Sequence, residues 1–461
     1  MSQRILLRNV YHLVVNDDAR TRLRGVDLLI EGDKIADVGE GLPKGDAEEI
    51  DASTKLVIPG LVNTHHHMYQ TLQRNIVAVQ NAELFEWLVG LYPIWSHLDA
   101  EVVRVSTQLA CVELLKTGCT TTSDHHYVFP QSVNADLIAL QFEAAAKVGV
   151  RFCATRGSMS RGKSAGGLPP DSVVQDEATI IDDCRRLAEL HDPGPLAMQK
   201  LALAPCSPFS VTPELMRGCA KLARERGLRL HTHLAETKDE DAYCQEHYGC
   251  RPLALMEQLD WIGDDVWFAH GIHFDDAELD LLARTKTGVA HCPSSNMRLG
   301  SGICRVKEMI EKGVPVGLAV DGSASNDSSD MLGELRACLM LQRVLGGASA
   351  IGADDVLALA TRGSAGLLGW PELGRLEAGR AADLVLIEMN RLDYAGALND
   401  PLAAIIFSGA SHIVDTSIVN GQIVVRDGRV LGVDEDDLRD RANALSKKML
   451  EAEGHDVSWN L

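Results

Sequence analysis

The first 58 residues alternate apolar and polar positions in short runs. This alternation is typical of β-strands that bury one face, because successive side chains on a strand point to opposite sides. Gly32, Asp33 and Gly41 interrupt the runs at positions where tight turns are expected. We therefore predict a small antiparallel sheet over residues 1–58.

The same alternation returns near the C-terminus. Residues 382–387 and 419–425 predict two more strands, with an Asn-Gly turn at the start of the second. Two distant segments with one pattern indicate a single small β domain that both ends of the chain build. We assign residues 1–58 and 372–433 to it.

Between these ends the chain repeats a different unit: a helical segment, a basic residue near its end, a glycine, and then a short apolar strand. Glycine readily takes the left-handed conformation that ends a helix, and the basic residue complements the helix dipole. Helix followed by strand, repeated along the chain, predicts the α/β class. The five clear instances are Lys116-Thr117-Gly118, Lys147-Val148-Gly149, Arg226-Gly227, Lys286-Thr287-Gly288 and Lys312-Gly313.

Eight strands are predicted in this region, which is the number that a (β/α)8 barrel requires. They start near residues 57, 119, 150, 199, 229, 266, 287 and 315. The expected fold is α/β, a distorted (β/α)8 TIM barrel over residues 59–371 beside the small β domain. Residues 434–461 are rich in charge and predict a solvated helical tail with no chemistry of its own.

Composition narrows the choice of compartment and partner. The chain has 461 residues, 46% of them hydrophobic, which is enough to bury a large core. Its formal net charge of −21 argues against nucleic acid as a partner, because a polyanion would be repelled. Eleven cysteines without paired spacing are typical of reduced thiols in a cytoplasm. The N-terminal segment has the pattern of neither a signal peptide nor a membrane span, so we expect a cytoplasmic protein.

Three consecutive histidines follow the first predicted barrel strand. His65 and His67 share one face, whereas His66 points to the other, because strand side chains alternate. The C-terminal ends of the strands carry the active site in barrels of this kind. Two imidazoles on one face can chelate a metal ion, so we interpret His65 and His67 as metal ligands and His66 as a packing residue.

Strand five supplies a second histidine pair and a carboxylate. His233 is nearer the C-terminal end of the strand and is the better ligand candidate. Glu236 follows three residues later, where a proton shuttle is needed. His231 lies one layer deeper, where a hydrogen-bonded core residue and a functional residue are equally good interpretations.

Strands six and eight end in His270 and Asp321. His270 is placed to polarise a substrate or to stabilise an oxyanion. Asp321 ends an otherwise apolar strand, and an unpaired buried carboxylate would be costly there, which favours a functional role. The strand ends together predict a metal-activated water: the metal lowers the pKa of the water, Asp321 accepts its proton, and the hydroxide attacks an electrophilic carbon.

Four segments resemble the amidohydrolase superfamily: PGLVNTHHH, HTHLAE, AHGIH and GLAVDGSASND. The resemblance covers nearly the whole chain, and it implies that the β domain is a sandwich built from both termini. It implies that the metal ligands are His65, His67, His233 and Asp321. It implies that the proton-transfer and polarising groups are Glu236, His270 and Asp321.

The resemblance also bears on the metal count. Binuclear members of the superfamily carry a bridging carboxylated lysine at the end of strand four. Here Lys200 lies at the other end of that strand, and Cys206 stands near the rim. A single divalent metal is therefore expected. Zinc fits nitrogen and oxygen ligands, and iron would bind such a site as well.

A histidine followed three residues later by glutamate on strand five resembles the deaminase branch of the superfamily. Within it, residues 65–74 and 321–327 look most like bacterial 8-oxoguanine deaminases. The resemblance implies a homo-oligomer that hydrolyses a small heterocycle, 8-oxoguanine, to uric acid and ammonia. A triazine aminohydrolase of the hydroxyatrazine type and a guanine deaminase are the enzyme alternatives. A non-catalytic barrel-based assembly protein is the alternative from another class.

Two further residues are candidate substrate contacts. The amide of Gln73 both donates and accepts hydrogen bonds, as an edge of a heterocycle does, although surface hydrogen bonding is an equal alternative. Arg156, at the end of strand three, is a candidate to hold a ring carbonyl, and the alternative is a buried ion pair. Strand two ends in Asp124, His125 and His126, at least one of which we expect to face the cavity.

Overall fold

The structure is a computed structural model that describes residues 3–408 and 413–458. Its N-terminal segment forms only strands, as the alternating pattern predicts. These are β1 (Arg4–Val10), β2 (His12–Val14), β3 (Arg22–Leu23), β4 (Val26–Glu31), β5 (Lys34–Gly39), β6 (Glu48–Asp51) and β7 (Lys55–Pro59).

Eight parallel strands follow in sequence order and form a nearly closed barrel, which confirms the predicted fold class. They are β8 (Leu61–Asn63), β9 (Cys119–Ser123), β10 (Arg151–Ser158), β11 (Gln199–Pro205), β12 (Arg229–Leu234), β13 (Val266–His270), β14 (Gly288–His291) and β15 (Val316–Leu318). Hydrogen bonds near the ends of β15 and β8 connect the last strand to the first. The Thr64 N–H donates to the Leu318 carbonyl at 3.2 Å. The Asn63 side-chain oxygen accepts from the Val320 N–H at 2.9 Å.

Helices connect the barrel strands and cover their outer faces. Several begin at a side-chain cap, such as Asp99 and Asp275, whose carboxylates accept backbone N–H groups of the first turn. They are α1 (Leu84–Trp95), α2 (Ala100–Lys116), α3 (Leu137–Val148), α4 (Glu177–Leu187), α5 (Pro213–Arg226), α6 (Lys238–Tyr248), α7 (Pro252–Gln258), α8 (Asp276–Thr285), α9 (Pro293–Arg298), α10 (Val306–Lys312), α11 (Ser323–Asn326), α12 (Met331–Gly346), α13 (Ala353–Ala358), α14 (Ser364–Leu368), α15 (Pro401–Phe407) and α16 (Glu435–Ala452).

The C-terminal strands complete a β-sandwich with the N-terminal ones. They are β16 (Leu384–Glu388), β17 (Thr416–Val419), β18 (Gln422–Arg426) and β19 (Arg429–Val430). One sheet has the order β5-β4-β1-β6, and the other has the order β19-β18-β17-β16-β7-β2-β3. A shared core of buried side chains, including Leu7, Leu28, Val57 and Leu384, joins the sheets. The small domain built from both termini is therefore present.

Several local expectations were wrong. The apolar strand near residue 57 is β7 of the sandwich, and the first barrel strand begins only at Leu61. The N-terminal sheet is not purely antiparallel, since β1 pairs with β6 in parallel. Gly288 does not end a helix: Lys286 has the left-handed φ of 60°, and a Cβ on Gly288 would lie 2.3 Å from Leu367. That glycine therefore serves close packing between strand and helix.

The C-terminal tail is helical, but the expectation of a solvated helix was incomplete. Helix α16 buries Leu438, Ala442, Met449 and Leu450 along one face, and its opposite face is charged. The apolar side chains recur at helical spacing, so one stripe packs on the barrel domain. Within the described ranges, no helix is both long enough and apolar enough to cross a membrane.

Candidate metal centre and active site

Four candidate ligand atoms converge at the C-terminal end of the barrel. The Nε2 atoms of His65 and His67 each lie 3.3 Å from Oδ1 of Asp321. The Nε2 atoms of His67 and His233 are 3.1 Å apart. Ligands held tetrahedrally at about 2.0–2.2 Å from a zinc ion are separated by about 3.3–3.6 Å. The observed spacing therefore fits one metal ion of this size.

The second nitrogen of each of these histidines is also held. The Nδ1–H of His67 donates to the carbonyl of His125 at 2.8 Å, and that of His233 donates to the carbonyl of Cys206 at 2.6 Å. Nδ1 of His65 lies 2.7 Å from Nε2 of His231. Such contacts orient an imidazole so that its other nitrogen presents a lone pair. Nε2 of His65 is buried and has no hydrogen-bond partner in the described chain, which is expected of an atom that binds a metal ion.

Asp321 is oriented through its backbone and through its second carboxylate oxygen. Its φ is 63°, and its Oδ2 accepts a hydrogen bond from the Ser295 hydroxyl at 2.6 Å. Oδ1 is thereby left facing the two histidines. Burial disfavours the charged form, but the surrounding histidines favour it more strongly, and the pKa of Asp321 lies well below its ordinary value. The carboxylate is ionised and able to bind a cation.

Glu236 and His270 form the other side of the same floor. Oε2 of Glu236 lies 3.4 Å from Nε2 of His270. Burial, and then the charge of Asp321, raise the pKa of Glu236 well above its ordinary value, which favours its protonated form. Burial lowers the pKa of His270 to about 4. Because the Asn296 amide donates to its Nδ1 at 3.0 Å, neutral His270 carries its proton on Nε2.

Above this floor lies a narrow cavity with mostly apolar and aromatic walls. The wall residues are Leu84, Trp87, Leu88, Tyr92, Tyr127, Phe209 and Leu299. The polar groups at its edge are Gln70, Cys206, Ser207 and Ser325. A pocket lined by aromatic and apolar side chains with few polar groups is typical of sites for planar heterocycles. The sequence interpretation did not include the wall residues, because they come from helices and loops that carry no motif.

The structure does not bring Gln73 to this cavity. Its side chain is buried against helix α16, where its amide nitrogen lies 3.3 Å from the sulfur of Met449. Gln70 lines the cavity instead, one turn earlier in the short helix Met68–Leu72. A Cβ on Gly322 would lie 1.9 Å from Oε1 of Gln70, so the glycine after Asp321 makes room for this amide. The structure therefore places Gln70, three residues before the expected Gln73, at the cavity.

Arg156 is also absent from the residues that line the cavity. Its guanidinium is fully buried and pairs with Asp183 at 2.5 Å, donates to Gln175 at 2.8 Å and lies over the ring of Phe129. This is the buried ion pair that the sequence left as the alternative. These contacts hold the guanidinium away from the residues that line the cavity.

Of the three residues that end strand two, His125 points toward the candidate ligands. His125 lies in one group with His65, His67 and His233, in which one nitrogen of each ring is within 4.8 Å of the others. A second group, His65, His270 and Asp321, brings together two ring nitrogens and a carboxylate oxygen in the same way. The carboxylate of Asp124 accepts the Met68 N–H at 2.7 Å, and the ring of His126 packs on Phe129. The cavity itself is lined by the next residue, Tyr127.

The chain is similar to known proteins over most of its length. Residues 56–424 match the family model described as the amidohydrolase family. The chain is 46% identical over 411 residues to 8-oxoguanine deaminase of Pseudomonas aeruginosa. This match covers 88% of this chain and 91% of that protein. It is 36% identical over 461 residues to hydroxydechloroatrazine ethylaminohydrolase of Pseudomonas sp. strain ADP, with 96% and 95% covered.

A solved structure is similar over nearly its whole length. Atrazine chlorohydrolase from Arthrobacter aurescens TC1, complexed with zinc, superposes with a TM-score of 0.92 at 32% identity. The match covers 96% of this chain and 100% of the other. The barrel and the sandwich therefore occur together in that protein.

Proposed function

This chain belongs to the amidohydrolase family and is a metal-dependent aminohydrolase, and we propose that its reaction is the hydrolysis of 8-oxoguanine to uric acid and ammonia. The observation that carries the proposal is the floor of the cavity. There, Asp321 and the histidine nitrogens lie beside His270 and beside the Glu236 carboxyl, whose raised pKa favours the protonated form. Deamination of a cyclic amidine needs this combination of base, acid and polarising group.

We propose His65, His67, His233 and Asp321 as ligands of one divalent ion, with zinc favoured and iron the other candidate. Three nitrogen donors and one carboxylate suit either metal. A single ion is favoured because Lys200 lies at the start of β11, where it donates to the Gly369 carbonyl. Near the rim end of that strand stands the Cys206 thiol, whose pKa burial raises to about 12. The bound ion would supply an activated water at the cavity floor.

Side chains of the protein then carry out the proton transfers. Asp321 accepts a proton from the attacking water, as the water oxygen adds to the ring carbon that bears the amino group. Glu236 delivers its proton to the adjacent ring nitrogen, and the proton held by Asp321 goes to the departing amine. His270 donates its Nε2–H toward the developing negative charge. The carbon–nitrogen bond breaks as the second proton of the attacking water passes to the Glu236 carboxylate, so that ammonia leaves, a ring carbonyl remains and Glu236 regains its proton.

The choice of purine rests on the cavity and on the relatives. Gln70 presents an amide whose two polar atoms are buried and have no hydrogen-bond partner within the described residues. A purine edge that both donates and accepts would satisfy both atoms. A substrate that lacks the 8-oxo carbonyl and the N7 proton would leave site groups unpaired, and such omissions lower kcat/KM by up to about 10⁴-fold. Guanine is therefore expected to be a poor substrate.

An ammonia-release assay across 8-oxoguanine, guanine, a pterin and an N-ethylamino triazine tests the proposal. We expect kcat/KM to be highest for 8-oxoguanine, with uric acid identified by its ultraviolet absorbance. Comparable values for guanine and 8-oxoguanine would refute the choice of purine. Activity confined to the triazine would favour the second candidate, since a triazine ethylaminohydrolase is 36% identical over 96% of this chain. Absence of both metal and hydrolysis would favour the assembly protein.

A further inference from the structure

Glu236 lies on a turn whose conformation is unusual. The residue before it, Ala235, has a φ of 54°, in the left-handed region that residues with a Cβ rarely adopt. Ala235 is also buried, so its backbone groups have no access to water. A conformation of this kind persists only where neighbouring contacts hold it.

The carboxylate of Glu240 makes such contacts. Its Oε1 accepts the N–H of Ala235 at 3.1 Å, and its Oε2 accepts the N–H of Glu236 at 3.0 Å. The side chain is 1% exposed. Buried N–H groups must be paired, and this one carboxylate pairs both N–H groups of the turn.

The position of Glu240 in helix α6 shows that these contacts serve the turn. Thr237 caps the helix, and Glu240 is its third residue. A glutamate there usually returns a hydrogen bond to the N–H of the capping residue. Glu240 instead reaches past Thr237 to the two residues before it. The helix start is already capped by the Thr237 hydroxyl, which accepts the Glu240 N–H at 3.4 Å.

The other side of the turn is fixed to the loop that follows His270. The carbonyl of Ala235 accepts the N–H groups of Ile272 and His273 at 2.9 and 3.0 Å. The turn is thus held between Glu240 on one side and the strand-six loop on the other. Within it, the Glu236 carboxyl lies 3.4 Å from Nε2 of His270.

We propose that Glu240 is a positioning residue for the reaction: it clamps the left-handed turn at Ala235 and so places the Glu236 carboxyl beside His270. The inference rests on the proposed function, in which Glu236 transfers the proton. Glu240 itself does not line the cavity. It acts through the two backbone N–H groups, so its loss displaces an acid and leaves the candidate metal ligands in place.

Glu240→Gln is the first test. Its amide offers only one oxygen, so one N–H of the turn would face an NH2 group and lose its acceptor. We expect kcat to fall about 10- to 100-fold, as displacements near 1 Å do, with KM and metal content close to those of the unmutated enzyme. Asp239→Asn removes a carboxylate from the exposed neighbouring position and is the matched control, expected to leave kcat unchanged.

A rescue experiment separates positioning from general stabilisation. Glycine takes a left-handed φ without strain, so the turn should depend less on Glu240 when Ala235 is replaced by glycine. We therefore expect Glu240→Gln to lower kcat less in the Ala235→Gly background than in the unmutated enzyme. Glu240→Asp, which keeps the charge but is one methylene shorter, should resemble Glu240→Gln and be rescued in the same way. A kcat equal to that of the unmutated enzyme, loss of metal in proportion to activity, or failure of rescue in both backgrounds would overturn the proposal.

Amide hydrogen exchange gives a readout that does not depend on activity. Peptides that span residues 233–237 should exchange faster in Glu240→Gln, while peptides from β13 and β14 keep their protection. Unchanged exchange at the turn would refute the role of Glu240, whatever the substrate. If the unmutated enzyme released no ammonia from any compound while exchange at the turn still rose in the variant, the proposed function would fail and the clamp would stand.

Discussion

Nε2 of His231 lies 2.7 Å from Nδ1 of His65, one layer below the candidate metal ligands. On its other side, Nδ1 of His231 lies 2.9 Å from the carbonyl oxygen of Trp267, to which only an N–H can donate. His231 therefore accepts the Nδ1–H of His65. Nε2 of His65 is left with a lone pair directed toward Asp321. The tautomer of His231 therefore leaves Nε2 of His65 unprotonated, and in this state that nitrogen can bind a metal ion.

His231→Ala should weaken metal binding while the barrel stays folded. Loss of a hydrogen-bonded partner behind a ligand typically costs about 10- to 100-fold in metal affinity. Competition against a chromophoric chelator measures the affinity directly. His247→Ala, at an exposed histidine of α6, is the control that should bind metal normally. Equal affinity in the two variants would show that His231 is only a core residue.

His233→Ala should lose most of its metal, because it removes one of four proposed ligands. Elemental analysis of the purified protein, compared with the unmutated enzyme prepared in parallel, gives the occupancy. Full occupancy in this variant would remove His233 from the ligand set.

Glu236→Gln should retain the metal and lose about 10² to 10⁴ in turnover, because an amide cannot deliver a proton to the ring nitrogen. The substitution keeps the size of the side chain and its distance from His270, which is 3.4 Å for the glutamate. Steady-state kinetics with 8-oxoguanine, together with metal analysis, separate the two effects. Turnover at the unmutated rate would mean that another group transfers the proton.

Gln70→Ala should reduce kcat/KM, whereas Gln73→Ala should not. Of these two residues, Gln70 lines the cavity, and a hydrogen bond lost to a substrate costs about 1–3 kcal/mol, or about 5- to 160-fold in kcat/KM. Gln73 contacts Met449 on α16, so its truncation is expected to lower the thermal stability slightly. The pair is measured with one substrate under one set of conditions. The reverse order of effects would restore Gln73 as the substrate contact.

Glu334 should make stability depend on pH. Burial raises its pKa from the ordinary 4.5 to about 8, against the opposing hydrogen bonds from Ser294 and Asn326. Folding therefore favours the protonated form of Glu334. Its contribution to the free energy of unfolding is fully present below pH 4.5 and is lost as the pH rises through about 8. Thermal unfolding at pH 5, 7 and 9 should show a steeper decline for the unmutated enzyme than for Glu334→Gln. Parallel declines would exclude Glu334 as the source.

The sequence by itself determined the barrel, the sandwich and the residues at four strand ends. Strand alternation predicts His65 and His67 on one face, and although β8 ends at Asn63, their Nε2 atoms do lie equally far from Asp321. The repeated helix and strand units established the order of the barrel. These features are local, because the repeat of a strand or helix sets the direction of each side chain before any tertiary contact forms.

Only the tertiary structure decided which groups face the substrate and which ones support the site. Gln70 and Gln73 differ by one turn of a short helix, and the packing of α16 against that helix turns Gln73 away. Arg156 donates a hydrogen bond to Asp183, which lies 27 residues further along the chain. His231 and Glu240 act through contacts with Trp267 and with a left-handed backbone turn. Contacts between distant segments depend on how whole elements pack, and no periodicity in the sequence records that packing.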